Sequence, residues 1–214
     1  MKFTGWPDDA IEFYRGLEVD NSKAYWTTHR AIYDESVLAP MTALLAEIAP
    51  EFGDAKVFRP NRDVRFSADK SPYKTAIGAL LADGGYVQLS ADGLGLGAGY
   101  HQMESDQLAR YRAAVADDDA GVELVGILSR LARQQIAPHG GDELKTVPRG
   151  YPGDHPRVDL LRRKSLAVWR QWPPGPWLAS AQAKTKVVEF LRRTAPLRTW
   201  LDEMVGPSAS PKGR

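Results

Sequence analysis

The spacing of apolar positions along this chain changes twice. From Trp26 to Ile48 they recur at steps of three and four: Trp26, His29, Tyr33, Val37, Met41, Leu44 and Ile48. That spacing predicts a long amphipathic helix. "DNS" at 20–22 supplies its cap, Pro40 a kink or restart, and Pro50 followed by Gly53 its end. A shorter helix precedes it over "WPDDAIEFYRGLE", with Pro7 near the first turn and Asp8 and Asp9 at the positive end of the dipole.

Between Lys56 and Gln102 the period falls to two. "KVFRPNRDVRFS", "TAIGALLAD", "YVQLSAD" and "LGLGAGYHQ" predict four strands, and the turn residues at 83–85 and 92–93 join the last three as an antiparallel meander. Helical spacing returns in "SDQLARYRAAVAD" and, after the aspartates at 117–119, in "AGVELVGILSRLARQQI". A Gly/Pro-rich tract, 138–156, leads to a short helix "PRVDLLRRK" and a strand "SLAVWRQW" that "PPGP" stops. The final helix is expected from Leu178 to Thr194, resuming after Pro196. The fold class is α+β: an antiparallel meander sheet packed against several helices, a single domain over 1–205, with a disordered tail at 206–214.

Composition narrows the function classes. No apolar run approaches the ~20 residues of a membrane helix, and "MKFTGWPDDAIEFY" lacks the charged-then-apolar order of an export signal. The chain has no cysteine, which removes disulfides, thiol catalysis and thiolate metal sites. A soluble, cytoplasmic protein without a membrane partner is the expectation. Net charge is +1, which gives no global field for nucleic acid. Locally, however, Lys56, Arg59, Arg62, Arg65, Lys70 and Lys74 stand against only Asp63 and Asp69. Likewise Arg157, Arg162, Arg163, Lys164 and Arg170 stand against only Asp159. Two small positive patches suit a compact anion better than a long polyanion.

The first patch lies on the first predicted strand, where side chains alternate faces. Phe58, Pro60, Arg62, Val64 and Phe66 share one face; Arg59, Asn61, Asp63, Arg65 and Ser67 share the other. Asp63 and Arg65, one same-face step apart, have the spacing of a bidentate fork, and a buried Arg62 would need a partner. The turn "SADKSPYKT" that follows can fold Lys70, Tyr73 and Lys74 back over this face. A cup of donors would result, holding a small phosphate or carboxylate through Arg59, Arg65, Lys70 and Lys74. In it Arg62 orients the site, Tyr73 donates a hydrogen bond, and Asp63 and Tyr73 are the candidates for proton transfer. The competing reading makes the same charges an ion-pair network that only supports the fold.

The pattern Arg59-x-x-Arg62-Asp63-x-Arg65-Phe66-x-x-Asp69-Lys70-x-x-Tyr73 resembles the signature of the DUF2461 family, bacterial proteins of about this length. The resemblance extends through "NSKAYWTTHRAIY", "GLGAGY", "QLARYRAAV" and "VPRGYPGDHPRVDLLRRKSL". It singles out Arg59, Arg62, Asp63, Arg65, Lys70 and Tyr73. It implies no activity, substrate or cofactor.

Other signals are weaker. "GLGLGAG" fits a dinucleotide fingerprint only in its letters, because strand residues continue past it. Its alternate glycines instead leave a bare strand face for an aromatic side chain or a ligand. Arg149, Tyr151, Asp154 and His155 sit in a loop ahead of the second basic run and, with Arg162, would add to the pocket if the two patches met. His29, His101, His139 and His155 lack metal-binding spacing, so no metal or other cofactor is expected, and no nucleophile-elbow or Walker sequence is present. Trp169, Trp172 and Trp177 are explained by packing against the last helix or by a partner-binding patch. Three functions follow: a binder of a small anionic ligand, an interaction scaffold, and a nucleic-acid backbone binder. No reaction and no oligomeric state can be read from these residues.

Overall fold

The computed structural model describes residues 2–65 and 67–209. Phe66, which the strand pattern assigned to a face, and the tail residues 210–214 lie outside the described residues. Six strands form one antiparallel sheet. Their order is β1 (Ala55–Val57), β2 (Ala76–Leu81), β3 (Gly85–Ser90), β4 (Gly93–Tyr100), β6 (Leu166–Trp172) and β5 (Ala137–Pro138). β2 and β3 pair with Gly78 opposite Gln88 and Leu80 opposite Tyr86, and β1 pairs with β2 through Val57 and Ala79. The α+β class and the meander stand. β5 spans two residues, too few to leave a periodic signal.

The chain gathers into two compact units, residues 1–96 with 171–191 and residues 97–170 with 192–214. No composition break marked them because the chain passes between them inside β4, β6 and the last helix, not through linkers.

In the first unit the predicted long helix is divided. After α1 (Asp8–Val19), the separate first helix, come α2 (Lys23–Thr28), α3 (Arg30–Ile32), a π-helical turn (Tyr33–Leu38) and α4 (Ala39–Phe52). Ser22 caps α2 by accepting the Tyr25 amide at 3.1 Å. The π turn answers Pro40. A proline has no N–H to donate, and its ring crowds the carbonyl four residues back. The bonding therefore widens, and the Ala39 N–H reaches the Asp34 carbonyl. The stripe is buried except at His29, which is half-buried: Trp26, Tyr33, Val37, Met41, Leu44 and Ile48 are all buried. Burial of each large side chain contributes about 1.5–3 kcal/mol. Trp6 fastens the two chain segments of this unit, its N–H donating to the Leu178 carbonyl at 2.9 Å and its indole to the Val37 carbonyl at 3.3 Å. Lys184 pairs with Glu47 at 2.6 Å on the same seam.

The second unit contains α5 (Ser105–Ala116), α6 (Asp118–Ala132), α7 (Val158–Arg162) and the later part of α8 (Gln182–Met204). α8 begins at Gln182 rather than Leu178 and runs through Pro196 without a break. Glu104 and Gln107 form a capping box on α5, and Asp117 caps α6. The Trp200 indole donates to the Ala120 carbonyl and the Tyr111 hydroxyl to the Leu160 carbonyl, each at 3.0 Å. Gln107 and Arg110 donate to the Gly206 and Pro207 carbonyls, and the Ser208 hydroxyl and Ala209 N–H both donate to Asp106.

Candidate functional site

The predicted strand 56–67 ends at Val57. Beyond it the chain stays extended and runs against 72–78. The Phe58 N–H donates to the Gly78 carbonyl, the Lys74 N–H to the Pro60 carbonyl, and the Arg62 N–H to the Pro72 carbonyl. The pairing slips by two residues between Val57–Ala79 and the isolated bridge Asn61–Tyr73, and Pro60 has no N–H to offer, so no regular ladder continues. The face alternation survives this loss. Phe58, Pro60, Arg62 and Val64 are half-buried, whereas Arg59, Asn61, Asp63 and Arg65 are exposed.

Asp63 and Arg65 form the expected fork, Nε to Oδ1 at 2.9 Å and one terminal nitrogen to Oδ2 at 2.7 Å. The pair faces solvent, the side chains 48% and 76% exposed. The Arg65 guanidinium, with Arg59 nearby, holds the Asp63 carboxyl down at about 2. Arg62 takes Asp69 as its partner. Asp69 also accepts from Ser71, and the Ser71 and Arg62 bonds together hold its carboxyl well below the ordinary range. Lys70 does fold back, but its Nζ donates to the Val64 carbonyl at 3.0 Å. Among the described residues the donors of 62–70 thus bond largely within their own loop.

Tyr73 is buried, its ring stacked on Trp26 with centroids 4.4 Å apart and planes 10° from parallel. The Asn21 side-chain amide accepts from the Tyr73 N–H and donates to the Tyr73 carbonyl, both at 3.0 Å, in the manner of a neighbouring strand. This clamp carries the α1–α2 corner to the motif.

A cleft of about 710 Å³ opens on the inner side of this loop. Arg62, Asp69, Tyr73 and Lys74 line it from the motif, and Glu18 from the end of α1. Phe58 and Tyr86 form its apolar wall, ring centroids 6.3 Å apart. Lys74 is half-buried with its Nζ 5.3 Å above the Phe58 ring. Burial first, and then the Arg59 charge, lower its pKa. Among the described residues Lys74 forms no ion pair with a carboxylate.

Glu18, Asn21, Phe58 and Tyr86 were not among the predicted site residues. One of them left a trace in the sequence. Once β2 and β3 are in register, Tyr86 lies diagonally across from Gly78, where a Cβ would overlap its hydroxyl. The bare glycine face expected in "GLGLGAG" has a different cause: a Cβ at Gly93 would strike the Trp172 carbonyl and one at Gly99 the Leu166 carbonyl. At these two positions it is backbone, not an aromatic ring or a ligand, that approaches.

In the second unit the basic run is committed to structure. Arg157 is 9% exposed and donates to the carbonyls of Val115, Ala116 and Asp117 and to the Asp118 carboxylate. Arg162 donates to the Leu144 carbonyl at 2.7 Å, Arg163 pairs with Glu143 at 3.1 Å, and Arg170 donates to the Gln134 carbonyl. His155 accepts the Arg157 N–H through Nδ1, Tyr151 is half-buried, and Arg149 is exposed. In the first unit Trp172 packs edge-on against Phe190 of α8, and Lys186 lies 5.0 Å over the Trp177 ring. Among the described residues no three His, Asp or Glu side chains gather as a metal site, and no helix is long and apolar enough to cross a membrane.

Comparison with known proteins adds a family and no activity. The family model described as "Conserved hypothetical protein (DUF2461)" matches residues 9–200. No curated protein and no solved structure matches the chain.

Proposed function

We propose that this chain, which belongs to the DUF2461 family, holds a small ligand bearing a carboxylate or phosphate in the cleft beside Lys74. The carrying observation is Lys74 itself, a half-buried ammonium that pairs with no carboxylate among the described residues and has Arg59 as a like-charged neighbour. A partly desolvated cation without a counter-charge is costly, and a bound anion recovers that cost. Arg62, with 29% of its side chain exposed in the cleft, is the second donor, and Arg59 adds field at the rim. Arg65 and Lys70 belong to the loop's own bonding and not to the ligand. Both carboxylate oxygens of Asp63 are taken by Arg65, so this reading is one of binding and assigns no reaction. Arg157, Arg162 and Arg170 of the second run are spent on backbone carbonyls and Arg163 on Glu143, which supports a compact ligand over a nucleic-acid backbone.

The test is thermal stability of wild type and Lys74→Ala across sodium phosphate and small carboxylates. At a hundredfold excess over Kd, binding stabilises by about 2.7 kcal/mol, or about 5–11 °C for a chain of this size. Wild type should shift and the variant should not. An unmoved wild type, or equal shifts in both, refutes the proposal.

A further inference from the structure

The charges lining the cleft say more about its ligand than that it is anionic. Two carboxylates, Glu18 and Asp69, and two cations, Arg62 and Lys74, line the cleft together. Arg62 and Asp69 satisfy each other. Glu18 and Lys74 remain, opposite charges in one cleft, neither with an ion pair among the described residues. A phosphate-rich ligand would reach Lys74 only by bringing its charge toward Glu18 and Asp69, and like charges brought together across a binding surface weaken it strongly. An anion alone also leaves Glu18 unanswered. The same cleft carries the apolar rings of Phe58 and Tyr86, and Gly78 has no side chain where the Tyr86 ring lies. The Lys74 Nζ lies above the Phe58 ring.

We infer that the ligand is a small zwitterion of the amino-acid class with a flat apolar body. Its carboxylate meets Lys74, with Arg62 alongside, its ammonium meets Glu18, and its apolar part covers Phe58 and Tyr86. The inference rests on the cleft reading above and narrows it. Charge balance sets the class, because each half of the zwitterion answers one unpaired group of the cleft. The aromatic wall sets the body, since ring faces favour a planar partner over a hydrated polar one. The volume, about 710 Å³, leaves room for such a molecule together with ordered water.

Four probes separate the possibilities by calorimetric titration of the full chain: phenylalanine, 3-phenylpropanoate, 2-phenylethylamine and inorganic phosphate. Phenylalanine is expected to bind. The two analogues, each lacking one charge, should bind about tenfold more weakly or worse, as for loss of one charged hydrogen bond. Glu18→Gln should reduce phenylalanine to the level of 3-phenylpropanoate while leaving the latter unchanged. Glu18 is exposed, so this variant keeps the fold, and its unaltered melting temperature serves as the control. Lys74→Gln should abolish binding of both carboxylates. If 3-phenylpropanoate or phosphate binds as tightly as phenylalanine and Glu18→Gln changes nothing, the zwitterion is refuted while the anion cleft stands, provided Lys74→Gln still loses binding. If no probe gives Lys74-dependent heat, both readings fall.

Discussion

Arg157 and Arg65 each sit in a strongly basic segment, and the structure gives them opposite weights. Arg157→Met keeps the apolar stem and removes the guanidinium. Three backbone carbonyls at the α5–α6 corner then lose a charged donor: that of Val115 in a buried bond, those of Ala116 and Asp117 in partly buried ones, with the Asp117 carbonyl keeping the Gly121 N–H. Each unsatisfied acceptor costs about 1–3 kcal/mol before water or relaxation recovers part of it. Removal of one partner from a buried charged network costs about 3–5 kcal/mol in all. For a chain of this length that corresponds to a fall of about 6–20 °C in Tm. Arg65→Ala removes an arginine 76% exposed, whose fork to Asp63 faces solvent. Exposed pairs contribute little, so its Tm should stay within about 2 °C of wild type. Differential scanning calorimetry of the two variants under one buffer makes the comparison. An Arg157→Met protein as stable as wild type would refute the buried-corner argument, and an Arg65→Ala protein that falls further than Arg157→Met would refute both halves.

Two further outcomes follow from the same geometry. Hydrogen bonds and nearby cations hold the carboxyls of Asp63, Asp69 and Asp106 below their ordinary values. For Asp106 the Ala209 N–H and the Ser208 hydroxyl lead, so its support is the tail contact itself. A carboxyl lowered in the folded state contributes stability that is complete above its unfolded value, about 4, and is lost as pH falls toward the folded one. Urea midpoints should therefore decline from about pH 4 to about pH 2, and Asp106→Asn should flatten that decline; a parallel decline in the variant would remove Asp106 from the account. Asn21→Ala cuts both amide bonds to the Tyr73 backbone. It should cost about 1–3 kcal/mol and speed tryptic cleavage after Lys70 and Lys74, whereas unchanged cleavage would mean that the clamp does not hold the cleft loop.

What the sequence disclosed and what it hid divide along physical lines. Local periodicity carried the buried stripe from Trp26 to Ile48, the meander, the face alternation over 58–65 and the Asp63–Arg65 fork, because each depends on spacing within one element or between neighbours. Proline placed the disturbance near residue 40 but not its form, since a π turn and a kink answer the same missing N–H. Arg62 had two carboxylates in reach, and only the path of the loop chose Asp69 over Asp63. Glu18 and Asn21 reach the cleft from the α1–α2 corner, remote in sequence, with no local pattern to announce them. Arg157 was legible only as one member of a basic run, because nothing near it in sequence revealed the three carbonyls that it serves.

The passage of the chain between its two units inside β4, β6 and α8 has a consequence for synthesis. The first unit needs residues 171–191, and the second needs 192 onward. A ribosome delivers chain from the N-terminus, and domains made of one continuous segment can fold as they emerge. Here neither unit is complete when its first segment is out. Trp6 waits for Leu178, and Ala120 waits for Trp200. The cleft segment is made early, but the unit that supports it is complete only once residues 171–191 have followed.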